Sequence, residues 1–177
     1  MYRRILIACL GYVALIVPSY AADWALEIVP THSAGDVSDI DTRGAAFLVL
    51  LTNTTDHNLN VWTDEYSWGY DNLSFDVKRS SGKAFRIIRV PEMFTMNMAL
   101  PYLVRPGAHY AWAVTLASDK WNGFPPDWKG SEEVTIQAKF EIDPTKESKE
   151  LTVWTGMIKS KPMKTTLVRY EKKSSDR

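Results

Sequence analysis

The sequence predicts an all-β chain, an antiparallel β-sandwich or barrel of about eight or nine short strands. Two observations carry that expectation: short segments in which apolar and polar residues alternate, and turn signals that return at intervals of roughly 8–12 residues. A third supports it. No segment shows an apolar stripe at helical spacing, although 91–101 ("PEMFTMNMALP") has room for a single turn.

Residues 24–29 ("WALEIV") place Trp24, Leu26 and Ile28 on one face, the period of a half-buried strand. Residues 31–44 are polar and turn-rich and read as a loop. Residues 45–53 ("AAFLVLLTN") are a continuous apolar run with branched side chains, suited to a central strand covered on both sides. A turn at 54–58 precedes a strand at 59–62. Residues 73–79 ("LSFDVKR") alternate cleanly, "SSGK" supplies Gly82 for a tight connection, and 84–90 ("AFRIIRV") answers as the paired strand. Pro106-Gly107 is a turn signal ahead of a strand at 109–116. Residues 133–142 alternate again, "DPTKESKE" is a polar turn, and strands at 151–158 and 165–168 complete the set.

The first 21 residues read as a secretory signal peptide. Arg3 and Arg4 precede an apolar run at 5–17, Pro18 breaks it, and Ser19 and Ala21 are small residues placed for cleavage after Ala21. "LIAC" imitates a lipoprotein box at Cys9, but most of the apolar run follows that cysteine, which makes lipidation the weaker reading. Cys9 is the single cysteine, so processing leaves a domain at 22–168 with no disulfide and no thiol nucleophile, ahead of a polar tail at 169–177. The expected location is the periplasm or the exterior, with no membrane span after processing. The chain is neutral overall, and losing Arg3 and Arg4 tips it slightly acidic. Such a balance does not favour nucleic acid, whose binding rests on neutralising phosphates.

The order of features at 47–116 carries a resemblance. An apolar strand ending in "LTNTTD", a hairpin around "FDVKRSSGK" and a strand in "RPGAHYAWAVTL" follow one another. This order resembles small bacterial immunoglobulin-like sandwiches and is similar to the BsuPI type of proteinase inhibitor. The resemblance implies a sandwich fold and an inhibitory binding role, and it carries over no functional residue. The export signal departs from that intracellular family, as do "SWGY" and "VWTG".

Six rings are the candidate contact residues: Tyr66, Trp68 and Tyr70 in "DEYSWGYDNLSF", and Trp121, Phe124 and Trp128 in "WNGFPPDW". Exposed rings could stack on sugars or seat a protein partner, whereas buried ones would be core, because each removes about 150–250 Å² from water. Trp62, Trp112 and Trp154 lie in expected strands and read as core. Met93, Met96 and Met98 in "MFTMNM" suit either an adaptable contact surface or an uneven interior.

His32, His57 and His109 match no metal-ligand spacing, and the carboxylates Asp36, Asp39, Asp41, Asp64 and Glu65 follow no regular calcium-loop pattern. The sequence has no nucleophile elbow and no phosphate loop. The sequons at Asn53 and Asn72 matter only in a eukaryotic secretory route, and Asn53 has a structural task open to it at a strand end. The expectation is therefore a non-enzymatic binding domain without cofactor or metal. Its partner would be a protein of the cell envelope, bound through loops 64–72, 93–100 and 121–128. A carbohydrate-binding module and a structural accessory domain are the alternatives.

Overall fold

A computed structural model describes residues 23–30, 39–41 and 47–169; the leader with its cleavage point, His32, Asp36 and the tail beyond 169 lie outside them. The strands are β1 (Trp24–Pro30), β2 (Asp39–Asp41), β3 (Phe47–Asn53), β4 (Leu59–Trp62), β5 (Leu73–Arg79), β6 (Ala84–Arg89), β7 (Pro101–Val104), β8 (His109–Val114), β9 (Trp121–Asn122), β10 (Gly130–Ile142), β11 (Gly156–Lys159) and β12 (Met163–Arg169). Two short helices, α1 (Ser67–Tyr70) and α2 (Lys146–Glu150), interrupt them.

The chain forms an all-β sandwich. One sheet runs β1-β3-β8, and a β4-β7 ribbon continues from the ends of β3 and β8. The other runs β2-β12-β10-β5-β6-β9, with β11 on the far end of β10. Among the described strands every pairing is antiparallel except that of β2 with β12, and an isolated parallel bridge joins Asn60 of β4 to Val153. Alternation decides which side chains meet: Phe47, Val49 and Leu51 of β3 face Phe75 and Val77 of β5 and Ile136, Ala138 and Phe140 of β10 within one buried cluster. Edge-on ring contacts bridge the layers, with Phe47 and Phe75 centroids 5.5 Å apart. Trp112 and Phe140, 5.2 Å apart at a tilt, do the same.

The expected hairpin is present, with Gly82 at φ 85° closing β5 onto β6. Asn53 takes the task open to it. It is fully buried, and its amide nitrogen donates to the carbonyls of His57 (2.7 Å) and Val104 (2.9 Å). Its side-chain oxygen accepts from the Thr55 backbone N–H (2.9 Å), so one side chain ties the β3–β4 turn to β7.

Several expectations change. The described residues hold twelve strands rather than eight or nine, because β2, β7 and β9 are short pieces whose pairing partners stabilise them more than their own composition does. No helical turn forms at 91–101. The "DPTKESKE" turn contains α2, started by a capping box in which Thr145 and Ser148 satisfy each other's backbone N–H groups. That helix runs into residues expected to begin a strand at 151, and Leu151 caps it, so β11 starts only at Gly156.

Candidate functional site

The six candidate rings do not form one platform. Trp121 is 2 % exposed and packs edge-on against Phe75 at 5.2 Å. Trp128 is 1 % exposed, against Phe85 at 5.4 Å, and the half-buried Phe124 lies 6.5 Å from that same ring. Tyr70 is buried too, its hydroxyl donating to the Val90 carbonyl at 3.0 Å. Two tryptophans and a tyrosine are therefore withdrawn from any contact surface, because the sandwich end next to β6 needs them as its cover. Tyr66 and Trp68 remain half-buried, with Trp68 tilted against Trp62 at 6.3 Å.

What draws the loops together is Arg89, at the end of β6. Its guanidinium lies 4.5 Å from the Trp121 ring centroid and 5.2 Å from that of Tyr70, and it donates to Asp64 Oδ2 at 3.3 Å. The Tyr110 hydroxyl of β8 donates to Asp64 Oδ1 at 2.9 Å. Burial pushes the Tyr110 hydroxyl well above its ordinary pKa, and the Asp64 carboxylate adds to that by opposing a second negative charge. Burial and Glu92 raise Tyr70 in the same direction. Asp64 is thereby committed to this junction. Loops 64–72 and 91–100 meet there. The 121–128 segment does not stay with them: it leaves Arg89 at Trp121 and reaches Phe85 with Phe124 and Trp128, four residues or about 13 Å along β6.

The exposed surface gathers elsewhere. Nine large apolar side chains are exposed among the described residues, and six of them (Met93, Met96, Met98, Leu100, Tyr102 and Leu103) fall within eleven positions. The loop carrying them is anchored from below. Phe94 packs edge-on against Tyr70 at 5.4 Å, and the Asn97 side chain both accepts from Ser67 N (3.2 Å) and donates to Ser67 Oγ (2.7 Å). Met93 and Met96, 90 % and 82 % exposed, lie on the outer side of those anchors. β7 continues the patch. Tyr102 and Leu103 are neighbours on a strand and so point to opposite faces; each is about half exposed, with Tyr102 against Tyr110 at 5.3 Å, while Val104 at the end of β7 is buried in the core. Among the described residues β7 pairs only with β4, and β8 only with β3, so both present an open backbone edge.

Comparison with protein-family models, curated proteins and solved structures finds no match.

A second feature lies on the outer face of the larger sheet. A groove of about 380 Å³ is lined by Trp68, Asn72, Arg86, Ile88, Lys139 and Glu141, among others. There the half-buried Trp68 borders a run of polar side chains. His57 pairs with Asp56 at 3.0 Å and His109 Nδ1 sits 2.8 Å from Thr52 Oγ1. Among the described residues no group of three or more His, Cys, Asp or Glu side chains comes together.

The contribution of β7 is absent from the sequence reading. A signal was present: an apolar run opened by Pro101 marks an edge strand, since proline cannot donate to a neighbour on that side.

Proposed function

We propose that this chain is an exported, non-enzymatic binding domain that recognises a protein of the cell envelope through residues 93–103 and the adjoining edge of β8. The observation that supports this reading is the concentration of exposed apolar side chains on an anchored loop beside two open strand edges. Exposed apolar side chains gathered in one segment mark contact sites on folded domains. An open edge adds backbone donors and acceptors for an extended segment of the partner, while methionines adapt to its side chains. Occlusion of the partner's own cleft is the inhibitory role that the BsuPI-type resemblance implies. No helix among the described residues is long and apolar enough to cross a membrane.

Photo-crosslinking in intact cells tests the reading. A photoreactive residue at position 96 or 103 is expected to give one discrete adduct in the envelope fraction, and one at exposed Lys146 on α2 is not. Adduct formation from position 103 is expected to disappear when Met93, Met96 and Met98 are replaced by serine, with an unchanged melting temperature. Equal labelling from all three positions, or none from 96 and 103, would overturn it.

The groove beside Trp68 favours a second reading, a carbohydrate-binding module, since a ring bordered by Asn72, Arg86 and Glu141 offers both a stacking face and hydroxyl partners. Titration with polysaccharides is then expected to shift tryptophan fluorescence in the wild type and not in Trp68→Ala.

A further inference from the structure

We infer that Met93, Met96 and Met98 form a capture site for a single soft monovalent metal ion, Cu(I), held by three thioether sulfurs. The donor set points to that ion. Thioethers are neutral and polarizable and select Cu(I) over harder divalent ions, which prefer imidazole, carboxylate or water. The only cysteine is Cys9, inside the expected leader, so in the processed chain soft-ligand chemistry falls to methionine.

Placement supports the same conclusion. Half of the six methionines lie within six positions, and all three are exposed, the reverse of their usual use as fillers of irregular interiors. The residues between them are tied to the protein, Phe94 on Tyr70 and Asn97 on Ser67, and the three methionines are exposed around those anchors. The chain bends at Thr95–Met96, so the middle methionine sits in the bend, and Leu100 N–H donates to the Met98 carbonyl at 2.9 Å. Three rotatable bonds in each side chain let the sulfurs converge without moving those anchors.

The site has a signature that separates it from histidine or thiolate sites. Those must lose protons to bind, which makes their affinity depend on pH, whereas a thioether has none to lose.

The test uses processed protein purified from cells with ¹³C-labelled methionine methyl groups. Silver(I) serves as a redox-inert probe, followed by Cu(I) kept reduced under anaerobic conditions. The methyl signals of Met93, Met96 and Met98 are expected to shift together and saturate at one equivalent, while Met157 and Met163 stay in place. Competition with a Cu(I) chelator is expected to return the same affinity across roughly pH 5 to 7.5, the range in which histidine would titrate. Replacing all three with leucine should abolish binding, and Met157→Leu should not. Signals that fail to move, that move equally at Met157, or a leucine variant that still binds would overturn the site. Leucine keeps the patch apolar, so loss of metal with retained crosslinking separates this inference from the protein-recognition reading.

Discussion

Asn53 shows how one side chain can set the arrangement of two turns. Its side chain is fully buried and makes three hydrogen bonds to backbone groups, one in the interior to Val104 and two part-buried to His57 and Thr55. Asn53→Ala leaves the two carbonyls and the Thr55 N–H without that partner and is expected to cost about 2–3 kcal/mol in chemical denaturation. A loss under half a kcal/mol would show that the turns hold without it. The same burial withdraws Asn53 from its sequon. Trp121 teaches a related lesson: its loop sequence, with Pro-Pro and Gly, resembles an exposed tip, but the ring is the floor under Arg89.

Among elements, α1 depends on a single close approach. Gly69 lies so near the end of β4 that an added Cβ would sit 2.1 Å from the Thr63 carbonyl oxygen, a backbone atom that cannot move aside cheaply. Gly69→Ala should therefore push α1 outward, costing about 1–3 kcal/mol as overpacking does. Because Trp68 and Ser67 belong to that helix, the variant should also change tryptophan fluorescence and loosen the Asn97 tether of the methionine loop. Wild-type stability and an unchanged spectrum would disprove that coupling. Elements with strong alternation, such as β5, β6 and β10, were legible in the sequence because burial of one face fixes their period. β7 and β9 were not, since strands of four and two residues are held by what lies beside them.

For the whole molecule, the Asp64–Arg89–Tyr110 junction matters because it joins the two sheets, with Arg89 on β6 in one and Tyr110 on β8 in the other. The Tyr110 pKa is raised in the folded state, so its contribution is fully present below the unfolded value of about 10 and is lost as pH rises above it. Tyr70 shifts in the same direction. Thermal stability is therefore expected to fall as pH climbs beyond about 10, and Tyr110→Phe should make that fall shallower. Identical alkaline profiles for the two proteins would refute the linkage.

The all-β class, the β5–β6 hairpin and the buried faces of the long strands were set by the sequence alone, because a two-residue period of apolar side chains can be buried only by a sheet that packs on another layer. Tertiary structure alone decided which rings stay wet. Composition cannot distinguish Trp121 from Trp68, and only the arrival of β6, Arg89 and Phe75 around one of them excludes water. It likewise decided that three methionines stand outside the protein, because Phe94 and Asn97 find their partners on α1, far away in the chain and adjacent in space.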